Sequence, residues 1–391
     1  MTAFTNVIRH GLPVALLALG MALSLPGYAD PSQNSKGKGN GSGNSYVQHN
    51  LVSDQVGVAD HQDTDLVNAW GVAFNPNAVV WVADNGTGLS TLYDGNGVKQ
   101  GLIVTIPAVN GAGQGVPTGI TFNSSNDFQV PVPTGNPPVP VNTASRFLFA
   151  TEDGGVFGWA PGLTVAVQKV PATGVATTAV YKGIAIAGNG TGHQIYAADF
   201  HNKKIDVFDA SFSPVATTGG FVDPGIPATF GPFNIMNING DLYVAYAMKE
   251  VDGDDEVAGQ GLGFVDVFTA DGVLIRRVAT RGNLNAPWGM ALAPAGFGKF
   301  GNALLVGNFG DGTINAFDLK NGTPLGQLRT PANQVLVIDG LWGIAFGNGV
   351  LDQPTDVLFF AAGPADETHG LYGFIAPAPT SPSAGGGNGG H

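Results

Sequence analysis

Apolar and polar positions alternate along most of this chain in short runs that stop at Gly, Asn or Asp. Period-two runs bounded by turn residues predict half-buried strands. Successive runs recur as one phrase, clearest in VVWVADNGTGLSTLYDGNG (79–97), QIYAADFHNKKIDVFDAS (194–211) and ALLVGNFGDGTINAFDLKNG (303–322). Each copy breaks at an Asp or Asn, passes a Gly/Asn turn and resumes as a strand ending in Phe-Asp or Tyr-Asp. Strand-built repeats of this length predict a propeller.

The phase is set by AWGVAF, PTGITF, YKGIAI, PFNIMN, PWGMAL and LWGIAF, which align at Gly71, Gly119, Gly183, Asn234, Gly289 and Gly343, with spacings of 48, 64, 51, 55 and 54 residues. The expected fold is therefore all-β, a six-bladed β-propeller of four-stranded antiparallel blades over residues 46–375. No strand remains after LYGFIAP to complete the sixth blade, so YVQHNLV (46–52) is expected to supply its outer strand and cover the exposed edge.

Composition fits this reading. The 60 Gly and 26 Pro suit a fold rich in tight turns, and 43% apolar content excludes a disordered chain. At the N-terminus, Arg9 and His10 precede the apolar run Leu12–Leu25, with small residues near Ala29. This pattern predicts a signal peptide over 1–29, too short to span a membrane, and hence export to the periplasm or the cell exterior. Residues 30–45 read as a flexible linker, and 376–391 as a Gly/Pro/Ser-rich disordered tail. There is no cysteine, so no disulfide framework. With 16 basic against 29 acidic residues and a net charge of −13, the chain lacks the basic surface that nucleic acid or an anionic membrane requires.

In a propeller the innermost strand of each blade, A, is followed outward by B, C and D, and the D-to-A and B-to-C connections share one face, here called the top. Most of the candidate chemistry falls there. Asp84, Asp199 and Asn308 end their B strands at equivalent places, with Glu152 and Asp153 at the matching place in blade two. Propeller symmetry turns such oxygen donors towards one mouth, where Ca²⁺ would take six to eight of them. Alternatively each carboxylate or amide bonds its own turn. Trp70, Trp288 and Trp342 occupy equivalent A-strand positions, either as core between blades or as an aromatic mouth around a ligand. Lys182, beside Gly183 in the same register, and His369, in the last top loop, complete the ligand-contacting candidates. His201 next to Asp199 is a candidate general base with Glu152. An insertion in blade four, KEVDGDDEVAGQGLG (249–263), reads as an acidic lid or partner-binding loop, and FQVPVPTGNPPVPVN (128–142) as an extended bottom-face hairpin.

The Val-Ala-Asp…Ile-x-Val-Phe-Asp cadence resembles NHL-repeat propellers. More closely, LVNAWGVAFNP, VADNGTGLSTLYDGNG, FATEDGGVFGW, YKGIAIA, GPFNIMNI, LNAPWGMALAP, LLVGNFGDGTINAFD and DGLWGIAFGNG resemble an uncharacterised family of exported bacterial propeller proteins. Similarity to gluconolactonase-like propellers implies one divalent metal at the channel mouth, with Asp84, Asn234, Asp199 and Asn308 as counterparts by blade position. No nucleophile elbow, metalloprotease helix or zinc spacing occurs. The first functional expectation is thus a binding module that recognises a protein, peptide, glycan or small molecule through its top face. The alternative is a calcium-dependent, lactonase-like hydrolase, in which the metal polarises a carbonyl and His201 or Glu152 moves the proton.

Overall fold

In the computed structural model, which describes residues 44–111 and 113–379, the strands form six antiparallel blades around one axis. The expected signal peptide, nearly all of the linker and the tail beyond residue 379 lie outside the described residues. The A strands are Ala69–Phe74, Pro117–Phe122, Tyr181–Gly188, Phe230–Ile238, Pro287–Leu292 and Leu341–Phe346. Each contains the phrase that set the repeat, at its start except in blade four, where the phrase begins at Pro232, and each pairs with its own B strand. Strand A of blade six packs against strand A of blade one, which closes the ring.

Close approach of the A strands explains the recurrent glycine. A Cβ on Gly71 would lie 2.6 Å from the Thr118 carbonyl oxygen, one on Gly289 2.4 Å from that of Trp342, and one on Gly343 2.4 Å from that of Trp70. Real Cβ atoms do not come that near, so any side chain there would push two blades apart. Asn234 is the exception, and blade three accommodates it: a Cβ on Gly183 would meet its Oδ1 at 2.1 Å. The Asn234 Nδ2 donates to the Trp288 carbonyl at 2.8 Å, bridging blades four and five, while its Oδ1 accepts from the Ile235 amide at 2.8 Å.

The hydrophobic core lies between blades. Ala73, Trp81 and Leu92 of blade one, for example, pack with Ile120, Phe147 and Phe149 of blade two. Burying side chains of this size contributes about 1.5–3 kcal/mol each, and period-two strands supply them from both faces of every blade.

Four blades have four paired strands, and blade six adds to its four a short fifth, His61–Gln62, parallel to Tyr46–Ser53. Blade three has three, Tyr181–Gly188, His193–Asp199 and Lys204–Phe208, and its outer edge is reduced to a bridge between Phe208 and Pro214. Blade six is completed by Tyr46–Ser53, which pairs antiparallel with Leu371–Pro377 from the other end of the chain. That last strand runs two residues past the expected boundary at 375. Tyr46 reaches further: its hydroxyl donates to the Phe297 carbonyl at 3.1 Å and accepts from the Phe300 amide at 3.2 Å, tying the N-terminal strand to blade five. The Pro-rich segment of blade two forms a hairpin, Gln129–Thr134 with Val139–Ala144.

Candidate functional site

Two rings of side chains occupy the axis. The first comes from the A-strand position before each glycine: Trp70, Thr118, Lys182, Phe233, Trp288 and, in blade six, Trp342. The indoles of Trp70 and Trp342 stack with centroids 3.5 Å apart, and Trp288 meets both edge-on at 5.9 and 5.6 Å. All three are almost fully buried. They therefore form a plug rather than open walls around a ligand. Beneath them a void of about 30 Å³, room for a single water, is lined by Gly71, Gly119, Gly289, Gly343 and Asn234 with neighbouring apolar side chains.

A second ring covers the plug on the top side. It comes from the residue after the B-strand partner of each repeat phrase's first residue: Asn85, Glu152, Phe200, Ala247, Phe309 and Gly363. Three consecutive blades, three to five, are apolar here. Phe309 stacks on Trp342 at 3.9 Å and Phe200 packs on Phe233 at 5.0 Å, in one cluster with Ala247. Blades six, one and two are polar or bare, so the mouth has an aromatic half and a hydrogen-bonding half.

Lys182 is the hub of the polar half. It is 2% exposed, and its Nζ lies 2.6 Å from Glu152 Oε1, 3.3 Å from Asp255 Oδ1 and 5.3 Å from the centre of the Trp70 ring. Burial works to lower its pKa, but Glu152, Glu256 and Asp255 outweigh burial and hold it above the ordinary lysine value. Glu256, carried in by the blade-four insertion, is pushed up to about 7 by burial; Lys182 opposes that shift, and Glu367 and Asp255 reinforce it. Burial also raises Glu367 to about 7, against a bond from Asn68 and with help from the Glu152 charge. Amides connect the group. Asn68 Nδ2 donates to Glu367 Oε2 at 2.8 Å and to Asn85 Oδ1 at 3.2 Å, and Asn85 Nδ2 donates to Glu152 Oε2 at 2.9 Å.

The expected metal ligands are each engaged with other partners. Asp84, fully buried, accepts from the Thr91 amide at 3.0 Å, and burial holds its carboxyl well above the usual range. Asp199 accepts from the amides of Val180 and Asn202 at 3.2 and 3.1 Å, and burial raises it too. Asn308 Nδ2 donates to the Asn283 carbonyl at 2.7 Å and its Oδ1 accepts from the Asn285 amide at 3.1 Å. Asn234 bridges two blades, and Asp84, Asp199 and Asn308 bond backbone groups of their own blades, so all four are committed to backbone partners. Among the described residues no three His, Asp or Glu side chains are grouped to hold a metal.

The remaining candidates divide. Glu152 is in the mouth, but the B-strand counterpart of Asp84 in blade two is Thr151, so Glu152 stands one residue further on than the sequence alignment placed it. His201 is half-exposed and bonds Asp254 Oδ1 at 2.5 Å, fixing the insertion instead of facing the axis. His369 Nδ1 bonds Asp54 Oδ2 at 2.7 Å and ties down the segment after the N-terminal strand. Asn68, Asn85 and Glu367 were missed. For Asn85 the available signal was its place directly after a B-strand end, since one step along a strand reverses the face.

No protein-family model matches the chain. An uncharacterised protein of Acanthamoeba polyphaga mimivirus is 35% identical over 336 residues, covering 83% of this chain and 78% of its own. A second uncharacterised mimivirus protein is 36% identical over 338 residues, 83% of this chain and 84% of its own. A glucose dehydrogenase of known structure is similar in fold, with a TM-score of 0.50 at 12% identity over 85% of this chain and 100% of that one. Similarity to that enzyme extends to the fold alone. The two close relatives are viral, where the sequence had suggested bacterial kin, and the chain belongs to the family of propeller proteins that they represent.

Proposed function

We propose that this protein is a ligand-binding propeller that takes its ligand at the axial mouth of the top face. The observation that carries this reading is the convergence of Glu152, Asp255, Glu256 and Glu367 on the buried Lys182, from three separate places in the chain. Stability alone does not favour such a group, because a buried ion pair is often no better than well-packed apolar side chains. Half of the same ring is already filled by Phe200, Ala247 and Phe309. The aromatic plug supports binding over passage, since it seals the floor of the mouth. The N-terminal pattern supports export, which would place the mouth in contact with periplasmic or extracellular small molecules, peptides or glycans.

A hydrolase acting in the same mouth is the second reading. It is favoured by Glu256 and Glu367, whose pKa values near 7 suit a general acid or base at neutral pH. No step in it is assigned to calcium, because the expected ligands are engaged with backbone groups.

Thermal unfolding of the full-length chain against a panel of small molecules, peptides and glycans tests both readings, since a ligand of the folded state raises the midpoint by mass action. A saturable rise abolished by Glu152→Gln supports the binding site. A rise untouched by mouth substitutions places the site elsewhere, and turnover of a lactone or glycoside lost in Glu367→Gln favours the hydrolase. Calcium belongs in the panel: a rise lost in Asp199→Asn would restore the metal site.

A further inference from the structure

Taking the axial mouth as the binding site, we propose that its ligand presents an organic cation with several N–H donors, a protonated amine or a guanidinium. Two independent shortages in the mouth point to the same chemistry.

The first is charge. Lys182 is one ammonium among Glu152, Asp255, Glu256 and Glu367, and the acid groups raise one another's pKa, Glu367 acting on Glu256 and Glu152 on Glu367. An anionic ligand would add to that repulsion. A cation would relieve it.

The second is hydrogen-bond donors. Asn68 is 4% exposed, and its Nδ2 is committed to Glu367 and Asn85. Its Oδ1 is buried and accepts no bond. That oxygen lies against Gly363, the ring position without a side chain, where a Cβ would come within 2.2 Å of it. A buried acceptor without a donor costs free energy, and native proteins leave few of them. Asn85 Nδ2 is engaged with Glu152, and Lys182 with Glu152 and Asp255. The polar half of the second ring thus holds carboxylate and amide oxygens in excess of donors, whereas the buried indole N–H groups of Trp70 and Trp342 that lack an acceptor belong to the plug beneath it.

A metal ion would correct the charge but not the geometry, since no three acidic or imidazole groups among the described residues are placed to ligate one. A neutral sugar would supply hydroxyl donors and leave the charge. An ammonium or guanidinium supplies both, and the partly exposed Phe309, stacked on Trp342, offers it a flat aromatic wall. Asp255, whose side chain is 75% exposed, stands at the entrance. Binding would favour the ionised forms of Glu256 and Glu367, so it should release protons near pH 7.

Isothermal titration of the full-length chain with spermidine and with a trilysine peptide tests this, at pH 6 and pH 8 and in two buffers of different ionisation heat. Saturable one-site binding is expected, tighter at pH 8 by roughly tenfold for each carboxylate that must ionise, with buffer-dependent heat at pH 6. Glu367→Gln should abolish it, whereas Asp241→Asn, on the bottom face, should leave it unchanged. Circular dichroism establishes that both variants fold, and Glu152→Gln is a second mouth variant should Glu367→Gln fail to do so. Spermidine alone would identify a free amine as the ligand, and the peptide alone a basic side chain. If gluconate or glucose binds at the mouth and neither amine does, the cationic ligand is overturned while the binding site stands. Amine binding that persists in both mouth variants would also overturn it, as attraction to the acidic surface at large. If the mouth variants abolish only turnover of a lactone or glycoside, the binding-module reading fails as well.

Discussion

Trp70 and Trp342, 272 positions apart in the chain, stack at 3.5 Å across the seam where blade six meets blade one. The contact joins the first and last repeats on the axis, while Tyr46–Ser53 joins them at the rim. The ring is therefore closed at both its inner and its outer edge.

Replacing Trp342 by Ala should remove the centre of this plug, because Phe233, Trp288, Phe309 and Trp70 all pack on it. A loss of about 3–5 kcal/mol is expected for truncating a large buried aromatic, measured by denaturant unfolding. A loss below 1 kcal/mol would mean that the blades hold the axis without it.

Adding a methyl group at the seam should also be costly. Gly343→Ala would set a Cβ 2.4 Å from the Trp70 carbonyl oxygen, and about 1–3 kcal/mol of overpacking is expected. Gly101→Ala, where no atom lies within 4 Å of the added carbon, is the comparison, and similar melting temperatures for the two variants would contradict the close approach.

Lys182→Met should destabilise the fold in a pH-dependent way. At pH 8 the substitution leaves Glu152 and its acidic neighbours without their buried counter-charge, and removing one partner of such a pair costs about 3–5 kcal/mol. At pH 5 Glu256 and Glu367, with pKa values near 7, are largely protonated. The penalty should be smaller there. Equal penalties at the two pH values in chemical denaturation would show that the lysine stem, not its charge, is what matters.

The intact protein should in turn lose stability as pH rises from 4.5 to about 7, through the contributions of Glu256 and Glu367. The sign follows from proton binding. In that window the folded chain retains protons that the unfolded chain, with ordinary glutamates, has released. Their contribution is present below pH 4.5 and gone above about 7. The double variant Glu256→Gln, Glu367→Gln should flatten this part of the melting profile and raise the midpoint at pH 8; an unchanged profile would rule out these two groups as its source.

The chain's own pattern determined the number of blades, the strands and their turns. Those features rest on period-two burial and on Gly, Asn and Asp at strand ends, which are local. Pairing of residues 46–52 with the last strand was also legible, because six copies of the phrase left one edge without a partner. The site was legible only in part. Lys182, Glu152 and the acidic insertion were recognisable as residues of interest, whereas Asp84, Asp199 and Asn308 bond backbone groups of their own blades. A carboxylate that serves its own turn has the same one-dimensional context as one that faces the axis. A single step along the strand separates Asp84 from Asn85 and Thr151 from Glu152, and that step decides which side chain reaches the mouth. Likewise His201 and His369 lie in top loops by sequence, yet tertiary contacts with Asp254 and Asp54 turn them to other tasks. Only the closed ring brings Glu367, Asn68 and Glu256 around Lys182, because their convergence depends on the sum of six blade rotations and not on any local spacing.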